Sequence, residues 1–348
     1  MADKQQLALI EKGVKVWNEW RKQNPDGAVH SIGMIPYGAT LREANLSQLD
    51  LSHVDFYMTD LCLANLQGSS LYKANLKKAA LYTANLRDTN LIRANLQASD
   101  LREADLSLAS LRSADLTGAN LQRATLYTTN LREAILRETD FSLANLGEAD
   151  LSLANLEGAN LREANLREST LYTTNLRRAN LQDAKLMGSD LREADLSMAT
   201  LRETNFHRAN LSTAIFSVAN MIGATLYRAN LCMANLSLAN LCMANLIEAD
   251  LHKATLVGSN LIGSNLYKAN LQDANFNQAD LREATLCMAN LVGADLREAN
   301  LCMANLREAT FCRANLEGAN LHRATLWEAN LEGAFLKGAT LPNGEVHD

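Results

Sequence analysis

From Leu41 to Leu341 every fifth residue is Leu, Phe or Met, with no insertion or deletion in the register. Of these 61 centre positions, 54 are Leu, six are Phe (Phe56, Phe141, Phe206, Phe216, Phe276, Phe311) and one is Met221. Two residues before the centre, 47 of 61 are Ala and 12 are Ser or Thr, with Leu49 and Val54 the exceptions. Immediately before it, 31 are Asn and 13 are Asp, whereas the two positions after it vary among Arg, Glu, Tyr, Cys, Gly and Ser. A fixed period of this kind marks a stacked architecture, in which a repeat buries its apolar face only against its neighbours.

The constrained positions dictate the backbone. Small at minus two, polar at minus one and large apolar at the centre is an inside-outside-inside alternation, which is strand-like rather than helical. Two consecutive outward residues then break it, so the chain must turn a corner every five residues. Asn or Asp before the centre suits such a corner, because it tolerates turn conformations and can bond nearby backbone groups. One Leu and one Ala cannot bury themselves, so successive turns stack with backbone ladders about 4.8 Å apart. The expected fold class is an all-β solenoid.

This A-(N/D)-L-x-x pattern, as in Ala44-Asn45-Leu46 or Ala299-Asn300-Leu301, resembles the pentapeptide-repeat family over residues 39–341. The resemblance implies a right-handed quadrilateral β-helix with four pentapeptides per coil. The residues themselves leave the coil length open: Ser and Thr at the small position recur at separations of 20 (Ser69 with Thr89, Ser169 with Ser189) and equally of 15 (Thr174 with Ser189, Ser189 with Thr204). At 20 residues per coil, 61 repeats make about 15 coils, roughly 70 Å of rise.

Open solenoid ends expose unpaired ladders, so caps are expected. Residues 1–38 read as a capping helix and linker: Asp3 with Gln6 suits a capping box, Leu7, Ile10, Val14 and Trp17 fall at helical spacing, and Val16 and Trp20 widen the stripe. The segment Asn24-Pro25-Asp26-Gly27 ends that helix. Val14 to Arg21 also resembles the leader of bacterial pentapeptide-repeat proteins from photosynthetic organisms. After Leu341 a short tail, 342–348, carries Pro342, Asn343 and Gly344. Near it, Phe335 and Trp327 are expected to fold over the C-terminal edge, the alternative being an end-to-end dimer contact.

Chemistry is sparse. The six cysteines (Cys62, Cys232, Cys242, Cys287, Cys302, Cys312) all occupy the first outward position, and no two are 20 residues apart. They are expected to be free thiols, which suits a reducing cytoplasm. The histidines are scattered and Cys242 and His252 diverge, so no metal is expected. Ser259 and Ser264 lie at the small position and are expected to bond backbone. Neither a nucleophile-base pair nor a phosphate loop is visible, so no catalytic residue and no cofactor is expected and the chain reads as non-enzymatic. Basic residues number 33 against 39 acidic ones, a net charge of −6, which argues against direct nucleic-acid binding. No stretch is long and apolar enough to span a bilayer.

Two functions remain. Family resemblance implies that an acidic rod can imitate duplex DNA on a type II topoisomerase such as DNA gyrase. With 20 residues per coil, however, the four faces carry −3, 0, −1 and −1, and no face is a dense acidic track. The other reading starts from outward residues that turn apolar together: Val218 and Ile222, then Leu238, Cys242 and Met243, then Val257 and Ile262. Superposed coil on coil they form a strip of a few hundred Å², the size at which a patch marks a partner. The sequence therefore favours a scaffold that docks an unidentified protein partner there, with topoisomerase modulation as the alternative.

Overall fold

A computed structural model describes residues 4–24 and 38–348, which divide into two compact units, Met1–Thr170 and Leu171–Asp348. Both are built from the same five-residue element. Within each unit, residues preceding a centre form parallel bridges with their counterparts four repeats on, as in Asn45 with Asn65 and Asp60 with Ala80 in the first unit, and Asn210 with Asn230 and Asn240 with Asn260 in the second. Four repeats thus make one coil, and bridges at every fifth residue give four ladders per coil. This resolves the tie between 15 and 20 that the residues alone left open.

The backbone satisfies its donors by a fixed rule. The centre N–H donates to the ladder carbonyl of the next coil (Leu46 to Asn65, 2.7 Å), and the second outward N–H to the first outward carbonyl of that coil (Gln48 to Gln67, 2.9 Å). The residue before the centre donates back to the preceding coil (Asn65 N–H to Ala44 O, 2.9 Å), and the small residue closes the turn (Ala64 N–H to Leu61 O, 3.1 Å). One donor in five is left, that of the first outward residue. The Asn or Asp side chain before the centre accepts it: Gln67 N–H to Asn65 Oδ1 at 3.2 Å, Ser107 N–H to Asp105 Oδ1 at 2.9 Å, Cys232 N–H to Asn230 Oδ1 at 3.0 Å. A buried or half-buried amide without a partner costs free energy comparable to a lost hydrogen bond, which explains why this position is Asn or Asp so often.

The corner falls on the two outward residues, as the pattern implies. Asn or Asp lies on the ladder and steadies the turn from outside it; the left-handed residue is the second outward one, with φ of 59° at Gln48, 57° at Glu103 and 57° at Leu238. Positive φ at the third residue of a turn closed by its first and fourth residues defines the type II class. Gly takes it in some repeats, such as Gly68, Gly258 and Gly263, and residues with side chains take it in most. The Asn columns also bond along the ladder, Asn85 Nδ2 to Asn65 Oδ1 at 3.0 Å and Asn165 Nδ2 to Asn145 Oδ1 at 2.7 Å.

Inside each unit the centre side chains fill the lumen and the Ala methyls pack between them; Leu106, Leu166, Leu236 and the six centre phenylalanines have no exposed surface. Phe206 and Phe216 meet edge to face at 6.3 Å. Buried hydroxyls at the small position bond backbone, as Ser69 Oγ does to Leu66 O at 2.6 Å and Ser259 Oγ to Leu256 O at 2.7 Å. Ser264 departs from expectation, since its Oγ has no hydrogen-bond partner among the described residues.

The N-terminal segment forms two helices, α1 (Lys4–Glu11) and α2 (Val14–Gln23), where the sequence predicted one. Gly13, at φ 109° and ψ 156°, breaks the helix in a conformation open chiefly to glycine. Asp3 and the side chains of Gln6 and Leu7 lie outside the described residues. Ile10 and Trp17 are buried, but Val16 faces solvent, so the apolar stripe is narrower than predicted. On the first coil, α2 supplies what a preceding coil would: Trp17 Nε1 donates to Asn45 O (2.8 Å), Arg21 to Ser47 O (2.8 Å), and Asn18 Oδ1 accepts from Asn45 N–H (2.8 Å). At the other end the tail folds back antiparallel, Thr340 against Val346. Trp327 and Phe335 are 53 % and 63 % exposed and do not fold over the edge; Trp327 instead receives the guanidinium of Arg307 at 4.6 Å.

Because Asn145 Oδ1 takes both Gly147 N–H (3.2 Å) and Asn165 Nδ2 (2.7 Å), Asn145→Ala should destabilise the first unit by about 1–3 kcal/mol and Asn145→Asp by less. Denaturant titration checks this; equal effects of the two substitutions would contradict the assigned role of the side-chain oxygen.

Candidate functional site

Outward side chains stand in columns that repeat once per coil, so the surface must be read by column rather than along the chain. In the second unit Val218, Leu238 and Met243 are 53 %, 63 % and 66 % exposed, while Ile222, Cys242, Val257 and Ile262 are half-buried. Backbone bonds fix their stacking: Val218 N–H to Ser237 O at 3.1 Å, Leu238 N–H to Val257 O at 2.9 Å, Met243 N–H to Ile262 O at 2.9 Å. The seven residues fall on two turn columns that follow one another in sequence.

Leucine and methionine lean onto glycines of the following coil. A Cβ at Gly258 would sit 2.9 Å from Leu238 Cδ2, and one at Gly263 would sit 2.6 Å from Met243 Sδ. The glycines therefore let two large apolar side chains lie along the surface. Met198, 46 % exposed and one coil before Val218, extends the same column. Sequence reasoning missed it because it began the strip at residue 216; the four-repeat spacing was the signal that would have found it.

Charge is arranged to cancel locally. Four arginines are chelated by the aspartate two residues earlier, Arg102 by Asp100, Arg192 by Asp190, Arg282 by Asp280 and Arg297 by Asp295, at 2.6–2.7 Å. Others reach the next coil, as Arg228 does to Glu248 at 2.6 Å. Hydrogen bonding from their arginines holds Asp100, Asp190 and Asp295 below the usual carboxylate range. All six cysteines are free, and burial pushes the Cys62 and Cys232 thiols up, away from the reactive thiolate. Among the described residues no three His, Cys, Asp or Glu side chains converge as metal ligands, and no helix is long and apolar enough to cross a membrane.

The geometry defines a coiled β-solenoid of five-residue repeats with apolar turn columns on its second unit. A profile for pentapeptide repeats matches in segments from residue 37 to residue 345, and the chain belongs to that family. Among solved structures it is similar to HetL, a pentapeptide repeat protein involved in heterocyst differentiation regulation from the cyanobacterium Nostoc sp. strain PCC 7120. Identity is 37 %, covering 71 % of this chain and 91 % of that one, with a TM-score of 0.31. Rfr23 from the cyanobacterium Cyanothece 51142 is 37 % identical over 28 % of this chain and 64 % of its own, at a TM-score of 0.26. QnrB1, a plasmid-mediated fluoroquinolone resistance protein, is 22 % identical over 52 % of this chain and 81 % of its own, at 0.24. No curated protein matches by sequence.

A carboxylate held below its unfolded value of about 3.9 contributes stability that is complete above that value and lost as pH falls through the folded one. Thermal melts should therefore show stability declining below about pH 4, and less steeply in a variant carrying Asp100→Asn, Asp190→Asn and Asp295→Asn. An identical acid slope in the two proteins would contradict the pairing.

Proposed function

We propose that this chain is a non-enzymatic scaffold whose second unit docks a protein partner on the columns of Val218, Leu238 and Val257 and of Ile222, Cys242, Met243 and Ile262. The observation that carries this reading is the exposure of Val218, Leu238 and Met243 side by side on neighbouring coils, since apolar residues scattered singly need no explanation whereas contiguous ones favour an interface. The same reading takes both units as right-handed four-sided β-helices, with 61 repeats making about 15 coils in all and α2 serving as the N-terminal cap. Side-chain bonds from Trp17, Asn18 and Arg21 to the first coil support the cap. A cytoplasmic site suits six free thiols. The exposed Trp327 and Phe335 leave the choice between a monomer and a C-terminal end-to-end dimer to a sizing measurement.

The regulatory association of a 37 % identical relative fits an interaction protein rather than a catalyst. Imitation of DNA on gyrase draws less support, because no face is a dense acidic track and Asp100, Asp190, Asp280 and Asp295 are each neutralised by the arginine two residues on.

Affinity capture from native lysate, comparing the wild type with a folded Leu238→Glu, Ile262→Glu variant, tests the reading. A protein retained by the wild type and lost from the variant is the expected result. Topoisomerase retained equally by both would overturn it in favour of the DNA-mimic alternative.

A further inference from the structure

The first unit carries an island of uncompensated positive charge on an otherwise acidic chain. From residue 71 to residue 98 there are five cations (Lys73, Lys77, Lys78, Arg87, Arg93) and one carboxylate, Asp88. Lys73, Lys77 and Lys78 share one coil, Arg93 lies on the next and Arg112 on the one after, as the bonds Lys73 N–H to Ile92 O (3.0 Å), Lys78 N–H to Gln97 O (2.9 Å) and Arg93 N–H to Arg112 O (3.0 Å) establish. Lys73, Lys78 and Arg93 are exposed. Arginines such as Arg102, Arg137, Arg228 and Arg297 are clamped by aspartate or glutamate, but Lys77, Lys78 and Arg93 make no ion pair among the described residues. Lys73 rests over the ring of Tyr72 at 5.2 Å.

A shallow depression runs along this column, lined by Tyr72, Ile92, Arg93, Arg112, Ser113 and Glu133. One end displays the chemistry it accepts. The Glu133 carboxylate lies across Arg112 (3.1 Å to Oε1) and Ser113 Oγ (3.0 Å to Oε2), a charge-assisted pair of bonds. One coil earlier Ser113 stands where Glu133 stands, and the coils before it place Arg93 and Lys73 in the same column, so Glu133 is the one carboxylate among these four residues.

We infer that this surface docks a short acidic segment of a partner protein, its carboxylates pairing with Arg93 and Lys73 as Glu133 pairs with Arg112. Successive coils repeat at about 4.8 Å, and alternate side chains of an extended peptide repeat at about 7 Å, so two carboxylates reach cations on neighbouring coils. Ile92 and Tyr72 offer an apolar floor between them. A long phosphate polymer fits less well. The island is only two to three coils tall, roughly 10–15 Å, and Asp55 and Asp60 bound it on one side, Asp100, Asp105 and Asp115 on the other. The surface shares no residue with the apolar columns of the second unit, so its occupant can be tested alone.

Fluorescence anisotropy of fluorescein-labelled hexaglutamate with the full chain is the test, using Lys73→Glu, Arg93→Glu against a charge-matched control, Arg313→Glu, Arg323→Glu, with folding of both checked by circular dichroism. The expected result is binding at low salt that weakens at physiological salt, is lost about tenfold in the first variant and changes less than about twofold in the control. No binding to the wild type, equal losses in both variants, or tighter binding of a twelve-nucleotide DNA single strand would each overturn the inference.

Discussion

Everything in this fold hangs on the hydrogen bond from each centre N–H to the ladder carbonyl of the following coil, 2.7 Å long at Leu46, Leu106 and Leu236 alike. That bond sets each centre side chain into the lumen directly against its counterpart one coil away, so a single mis-registered residue would turn every later Leu outward. The unbroken period from Leu41 to Leu341 is the sequence expression of that constraint. Small residues two before the centre follow from it, because Ala44, Ala104 and Ala234 have no exposed surface and must let the facing leucines meet.

With inward and ladder positions committed to folding, only the two turn residues are free to vary, and their left-handed second member carries almost any side chain. Function on such a scaffold is therefore written in columns. The Val218, Leu238 and Met243 surface and the Lys73, Lys78 and Arg93 island are both composed of turn residues, each gaining its meaning from what stands one coil above or below. Their chemistries differ, apolar in the second unit and cationic in the first, which gives one chain two recognition surfaces without any change of backbone.

The lumen was legible from sequence because burial imposes composition: leucine at the centre, alanine two before. The coil length was not, since each pentapeptide satisfies the same local rules whichever repeat it stacks upon, and only the ladder partners identify it. Met198 was missed for another reason: it belongs to the Val218 column but lies a full coil before the residue at which the apolar strip was begun. The corner on the two outward residues and the backbone-bonding role of Asn and Asp were legible too, but not which amide they accept, because composition does not name the partner. At the N-terminus the apolar spacing of Ile10 and Trp17 ran through Gly13 and concealed the break between α1 and α2. Phe335 and Trp327 misled because large aromatics suggest burial, whereas here they lie on the outer wall.

The stacking of columns at four repeats per coil is tested most directly by engineered cross-linking in a cysteine-free background. Glu103 and Arg123 occupy the same turn column on adjacent coils, while Glu103 and Ser113 lie half a coil apart. Adjacent coils place Cα atoms about 5 Å apart, within the roughly 4.4–6.8 Å window of a disulfide. Mild oxidation followed by mass spectrometry should give a disulfide in the Glu103→Cys, Arg123→Cys protein and none in the Glu103→Cys, Ser113→Cys protein; a disulfide in the second and none in the first would contradict the four-repeat coil.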